Sequence, residues 1–185
     1  TIVLAFSILK SLGLNDIKVC LNTLGDDESR ANYRSALKEY FAPYVDELCG
    51  DCKRRYEQNP LRILDCKVDH DHECMKNAPK MSDYLNEASQ EYFNTVCELL
   101  DKLEIPYEVD DKLVRGLDYY THTVFEIVSM NSEMGAQSTV LAGGRYDGLI
   151  SYFGGPEGMS GIGWALGMER LLIALEAEGI ELETK

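Results

Sequence analysis

An α+β fold, built on an antiparallel sheet with flanking helices, is what this 185-residue sequence predicts. Three observations carry that expectation. Apolar residues recur at helical spacing in the first 44 residues and again between residues 82 and 103. Residues 117–128 alternate, with Leu117, Tyr119, Thr121, Thr123, Phe125 and Ile127 on one parity and Asp118, Tyr120, His122, Val124, Glu126 and Val128 on the other. One apolar and one polar-lined face fit a strand of an antiparallel sheet that turns one side to a ligand. Between residues 43 and 79 both periods fail, and the pattern becomes short, charged and interrupted.

Taken in order, Leu4/Ala5, Ile8 and Leu12 mark one face of a helix over residues 2–12, which Gly13 stops. Ile17, Val19 and Leu21 alternate with polar neighbours as a strand. Ser29 starts a second helix with the stripe Tyr33, Leu37, Tyr40, Phe41 and Tyr44. Ser82 is the expected N-cap of a long helix whose stripe is Leu85, Ala88, Tyr92, Val96, Leu99 and Leu103, with Pro106 just beyond. Thr139–Leu141 reads as a strand ending at Gly143-Gly144. A glycine-rich stretch from Gly154 to Gly163 leads through Trp164 into a final helix over 165–178, on which Leu166, Arg170, Ile173 and Ala177 share a stripe.

At 45% hydrophobic residues the chain can bury one well-packed core with a small appendage. Its formal charge of -14 excludes nucleic-acid binding by general electrostatics. The distribution is uneven, however. Residues 49–80 hold seven Lys/Arg against six Asp/Glu, and the remainder carries 11 against 26. A polyanion would therefore sit on the middle segment, where Lys53, Arg54 and Arg55 are consecutive.

The apolar run Ile2–Leu9 is too short to span a bilayer and follows no basic stretch, so a soluble, cytoplasmic protein is expected. The opening in mid-helix pattern without Met points to an internal piece of a longer chain. Six cysteines (20, 49, 52, 66, 74 and 97) read as reduced thiols. Cys49 and Cys52 have metal-knuckle spacing, and Cys66, His70, His72 or Cys74 could complete four ligands. Ordinary intracellular thiols in an acidic loop are the plainer reading, and the spacing assigns no metal.

Three segments carry residues suited to chemistry. In Arg115-Gly116-Leu117-Asp118-Tyr119-Tyr120, a guanidinium at a strand entrance stands beside an aromatic wall. That pairing suits a carboxylate or phosphate next to a flat polar ring, although an edge Arg with two strand tyrosines is the plainer explanation. Consecutive strand residues face opposite ways, so both tyrosines can meet one ligand only if the strand is bulged or bent. In Ala142-Gly143-Gly144-Arg145-Tyr146-Asp147-Gly148-Leu149, paired glycines allow close backbone approach. In Gly161-Ile162-Gly163-Trp164-Ala165-Leu166-Gly167-Met168-Glu169-Arg170-Leu171-Leu172, an Arg within an apolar stripe must snorkel to water or meet an anion. A triphosphate and a partner carboxylate both qualify.

Together these segments resemble a known family. RGLDYYTHTVFE resembles the first histidine-specific signature of histidyl-tRNA synthetases and AGGRYDGL the second, while GIGWALGMERLL is similar to motif 3 of the class II aminoacyl-tRNA synthetases. Asn59–Lys67 is similar to part of the helical insertion of bacterial members. The resemblance implies part of the class II antiparallel sheet with flanking helices plus a mostly helical insertion. It divides the chain into residues 1–28, following motif 2; residues 29–80, the insertion; and residues 81–185, the remainder of the catalytic core.

The implied activity is ATP-dependent formation of histidyl-adenylate from L-histidine and transfer to tRNA(His), with Mg²⁺ accompanying ATP, no tightly bound cofactor, and a homodimeric parent. Arg115 would be the catalytic contact to the α-phosphate and the histidine carboxylate. Tyr119, Tyr120, Gly143, Gly144 and Tyr146 would line the histidine pocket. Arg170 would grip the γ-phosphate, with Gly161 and Gly163 letting adenine and ribose lie against the strand; Lys53, Arg54 and Arg55 would touch tRNA. Motifs 1 and 2 are not found, which implies an inactive fragment with an exposed face where they would pack. The alternative within the resemblance is the non-catalytic regulatory subunit of ATP phosphoribosyltransferase.

Overall fold

The computed structural model describes residues 1–114 and 119–180, and the α+β architecture is present. Arg115 falls outside the described residues. Helix α1 (Ile2–Ser11) closes as expected, because Gly13 takes the left-handed φ of +101° that a side chain would disfavour. Its buried face is Ile2, Ala5, Phe6 and Leu9 rather than the stripe through Leu4 and Leu12, both of which are exposed. In a run as uniformly apolar as Ile2–Phe6, spacing alone does not fix which stripe turns inward.

Strand β1 (Ile17–Thr23) lies inside a sheet ordered β2-β1-β3-β4-β5, with β2 (Tyr107–Val109), β3 (Thr121–Ser129), β4 (Thr139–Arg145) and β5 (Ile162–Leu166). All pairs are antiparallel except β1 with β2, where Val19 stands opposite Tyr107. A parallel neighbour needs a long crossover, and the whole stretch from residue 24 to 106 supplies it. Strand β3 starts at Thr121 rather than 117, yet its parity is as expected: Thr121, Thr123, Phe125, Ile127 and Ser129 are buried.

Two boundaries move at the far edge. Strand β4 runs on through Gly143 and Gly144, because those glycines let β5 close against it, with Gly143 opposite Trp164 and Gly144 opposite Gly163. Residues 162–166 are therefore strand, and the last helix, α7 (Met168–Ala177), which follows the one-turn α6 (Leu149–Tyr152), begins three residues later than predicted. Its buried residues are Leu171, Ala174 and Leu175. Leu4, Ile162, Met168, Leu172 and Ile173 stay exposed.

Helix α2 (Asp27–Phe41) buries Tyr33, Leu37 and Phe41 on its expected stripe. It starts before Ser29, since Asp26 is the cap and accepts from the Ser29 amide at 2.8 Å. The long helix, α5 (Glu87–Lys102), is capped by Asn86 instead of Ser82, again through the amide three residues on, Ser89. The two caps are interlocked. Asn86 N–H donates to Ser29 Oγ at 3.0 Å and Asp26 N–H to Ser89 Oγ at 3.2 Å, so each third-position serine serves the other helix. That exchange fixes the rotation of α5: Ser89, Phe93 and Leu100 turn inward while Leu99 and Leu103 are exposed.

One core packs α1, α5 and α7 on the sheet around Leu9, Val19, Phe125, Ile127 and Leu141. A second joins α2 to helix α3 (Gly50–Gln58), helix α4 (Glu73–Lys76) and the turns between them, and it includes Leu24, Leu113, Tyr120 and Val124 from the sheet side. The middle segment is thus welded to the strand bearing the tyrosines. Among the described residues no helix is long and apolar enough to cross a membrane.

Candidate functional site

The site is built where β3 bends. His122 has φ +48°, rare for a residue with a side chain, and the β3–β4 register shifts between Thr121 and Val124. Tyr119 and Tyr120 lie just ahead of β3, outside the regular strand, so its face-to-face alternation does not separate them. Tyr119 and Tyr120 sit with ring centroids 4.7 Å apart, and Tyr146 closes edge-on against them at 5.9 and 6.4 Å. Arg30 of α2 steadies this corner by donating to the Tyr120 carbonyl at 2.5 Å.

Glycines make room for the tyrosine rings. A Cβ on Gly144 would stand 2.7 Å from the Tyr120 ring and 2.8 Å from the Thr123 carbonyl. One on Gly161 would meet the Tyr146 ring at 2.2 Å, and one on Gly163 the Tyr146 hydroxyl at 2.8 Å. This changes the reading of Gly161 and Gly163. Both were expected to let a nucleotide lie on the strand, but the structure lays the Tyr146 ring there.

Arg170 also differs from expectation. It is exposed, not enclosed in an apolar stripe, and donates to the Thr139 carbonyl at 3.0 Å. Even so, it lines a cavity of about 340 Å³ together with Tyr119, Tyr120, Glu126 and Ala142. The floor of that cavity is made of small residues, Ala142 of β4 beside Ala165 of β5, which leaves space above the sheet. Glu126 accepts from the Thr139 hydroxyl at 2.8 Å and adds a carboxylate to the lining.

The second glycine segment is held by charge. Asp147 takes the Arg145 Nε–H at 2.8 and 2.9 Å, and Arg145 also donates to the Tyr92 hydroxyl and to Ser160 Oγ, each at 3.1 Å. Burial works to raise the Asp147 carboxyl, but these bonds outweigh it and hold it below the ordinary range. Residue-by-residue reading missed Arg145, Asp147, Glu126 and Arg30 as site-builders. For Glu126 the signal was its place on the polar parity of β3.

His122 packs on Tyr92, centroids 4.9 Å apart, and its buried Nδ1 has no partner among the described residues. Burial first, and then Arg145, lowers its pKa from the ordinary 6.5, against the raising pull of Asp147, Asp26 and Asp27. On acidification the unfolded chain then takes up this proton before the folded one. Stability should be complete above about pH 6.5 and should fall as the pH drops through the lowered folded value. The expected result is a lower denaturation midpoint at about pH 5.5 than at about pH 7.5, a drop that His122→Asn diminishes, Asn being tolerant of positive φ. An equal drop in that variant would place the acid sensitivity elsewhere.

On the middle segment, Lys53 and Arg54 are exposed on α3, and Arg54 pairs with Asp51 at 2.5 Å. Arg55 turns away and donates to the Arg62 carbonyl at 2.9 Å, a bond that holds the next turn.

These features meet a consistent set of likenesses. The family model described as "Histidyl-tRNA synthetase" matches residues 2–171. A histidine–tRNA ligase of Lysinibacillus sphaericus is 54% identical over 183 residues, covering 99% of this chain and 43% of that protein. One of Geobacillus thermodenitrificans is 55% identical over 179 residues, 97% of this chain and 42% of the relative. Among solved structures, apo S. aureus histidyl-tRNA synthetase superposes with a TM-score of 0.78 at 43% identity, covering 98% of this chain and 44% of that one. The chain belongs to the histidyl-tRNA synthetase family, and it spans under half the length of these relatives. A Bacillus halodurans structure described as an ATP phosphoribosyltransferase regulatory subunit/histidyl-tRNA synthetase shares 22% identity at a TM-score of 0.54, a likeness of fold alone.

Proposed function

We propose that this chain supplies the histidine-reading side of a histidine–tRNA ligase, which forms histidyl-adenylate from L-histidine and ATP and passes the histidyl group to tRNA(His). The observation that carries the reading is that Tyr119 and Tyr120, with Tyr146 packed edge-on behind them, share one cavity with Arg170. Tyr119, Tyr120 and Tyr146 offer an aromatic wall for an imidazole; Gly144 leaves room for the Tyr120 ring, and Gly143 contributes by letting β5 close against β4. Arg170 offers the cation for an ATP phosphate, and Gly161 and Gly163 contribute by seating Tyr146. Arg115, outside the described residues, is assigned the charge developing at the α-phosphate, since a positioned guanidinium stabilises such charge. Mg²⁺ would arrive with ATP and neutralise phosphate charge. Glu126 is the carboxylate of the cavity suited to take one of its sites, as one carboxylate with phosphates and water commonly suffices.

The whole protein is proposed to be cytoplasmic and homodimeric, with residues 29–80 as its insertion. A protein carrying this chain at the length of its relatives is expected to exchange pyrophosphate into ATP when L-histidine is supplied. Absence of histidine-dependent exchange would refute the assignment and favour a binding role.

Lys53 and Arg54 are proposed to meet tRNA phosphates, whereas Arg55 serves the fold. Replacing the first two with Ala should weaken tRNA binding and reduce the slope of log affinity against log salt by about one per charge removed. A filter-binding series with an unchanged slope would return both to plain solvated surface.

A further inference from the structure

The middle segment brings three thiols and a carboxylate together. Ligand atoms of Cys49, Cys52, Cys66 and Asp69 all lie within 4.8 Å of one another. We propose that these four residues form a tetrahedral zinc site that staples the start of α3 to the turn at 66–69.

The geometry is close to what zinc requires. Bonds of about 2.3 Å to sulfur give a tetrahedron with edges of about 3.8 Å. Cys49 Sγ and Cys66 Sγ are 3.8 Å apart, and Cys66 Sγ lies 3.6 Å from Asp69 Oδ2. A disulfide would need the two sulfurs at about 2.05 Å, so the pair stands at the spacing of co-ligands instead.

The backbone is arranged for the same end. Cys49-x-x-Cys52 and Cys66-x-x-Asp69 are matching corners: in each, the amide three residues on donates to the first sulfur at 3.4 Å. Such N–H···S bonds help carry thiolate charge, and the start of α3 adds its positive end beside Cys49 and Cys52. Asp69 is fixed in turn by the Cys49 amide, which donates to its two oxygens at 3.3 and 3.1 Å. Cys52 and Cys66 are buried, so the cluster is enclosed while Cys49 and Asp69 border solvent.

Spacing alone offered His70, His72 or Cys74 as the fourth ligand, and the structure directs each elsewhere. His72 Nδ1 lies 3.0 Å from Cys74 Sγ and its Nε2 3.4 Å from Glu47, while His70 bonds the Lys67 carbonyl and faces Asp71. Asp69 takes the place they were expected to fill. Three thiolates with one oxygen select zinc over the harder cations Mg²⁺ and Ca²⁺.

The test uses the whole 185-residue chain, purified reduced from zinc-supplemented medium. Elemental analysis should find about one zinc per chain, and Co²⁺ added to the metal-stripped protein should give a thiolate-to-cobalt charge-transfer band. Cys52→Ser, Cys66→Ser and Asp69→Ala should each weaken zinc binding by at least about tenfold, whereas His72→Ala and Cys74→Ser should leave the stoichiometry unchanged. Because a serine variant that fails to fold would also lose zinc, alkylation of the wild-type chain supplies a second readout. Removing zinc should expose Cys49, Cys52 and Cys66 to alkylation while leaving Cys20 and Cys97 at their original rates. Zinc below about a tenth of an equivalent, iron in its place, equal loss in the His72 variant, or alkylation indifferent to zinc would each overturn the site.

Discussion

Arg170→Ala should lower histidine-dependent ATP–pyrophosphate exchange by about 100- to 1000-fold in a protein of the relatives' length, the cost of losing one donor to charge that develops in the transition state. The same change should leave the fold nearly untouched, because Arg170 is exposed and, among the described residues, is tied only by its bond to the Thr139 carbonyl. The combination discriminates. A structural arginine would lose stability and activity together, whereas a phosphate-binding one loses activity alone. Arg170→Lys should restore only part of the rate, since an ammonium keeps the charge but not the planar fork. Exchange within twofold of the parent would make Arg170 a surface side chain that merely borders the cavity.

The second large effect concerns the seam between β4 and β5. A Cβ on Gly143 would stand 2.3 Å from the Gly163 carbonyl oxygen and 2.6 Å from Trp164 Cβ. Two paired backbones cannot yield that distance by rotating a side chain, so the strands must part. Gly143→Ala should therefore cost about 3 kcal/mol of stability, at the upper end for overpacking. Gly148→Ala, where an added Cβ meets nothing within 4 Å, should change stability by less than about 0.5 kcal/mol. Comparing denaturant midpoints of the two variants checks this, and equal midpoints would show that the seam can relax.

The existence of elements was more legible than their phase. Helices α1, α5 and α7 were all expected from apolar spacing, and the inward faces keep Ala5, Val96 and Leu175 from the reading while otherwise turning to neighbouring positions. In α5 the rotation comes from caps 60 residues apart in sequence, Asp26 and Asn86, which trade serines. No local window contains that information. In α7 the expected stripe through Arg170 gave way to Leu171, Ala174 and Leu175, which pack on the sheet core, and residues 162–166 joined β5 instead of the helix.

The site was legible in part. The tyrosines and glycines of the candidate site stood out in the sequence, but they were expected on a bent strand, and the structure sets Tyr119 and Tyr120 just ahead of β3 instead. What sequence could not supply was the partner of each glycine. Gly161 and Gly163 looked like space for a nucleotide, and only the fold shows them 16 residues or so along the chain from the Tyr146 ring that occupies that space. Asp69 was passed over as a ligand for a related reason: cysteine and histidine spacing drew attention to His72 and Cys74, while the second corner of the cluster ends in a carboxylate.

The central claim is that the tyrosine corner and Arg170 face one ligand. Crystals of a protein carrying this chain at the relatives' length, grown with a non-hydrolysable histidyl-adenylate analogue, test it most directly. The imidazole should stand against Tyr119, Tyr120 and Tyr146, with the analogue extending along the cavity that Arg170 lines. An analogue bound away from the three rings, or one whose nucleotide end leaves that cavity empty, would contradict it.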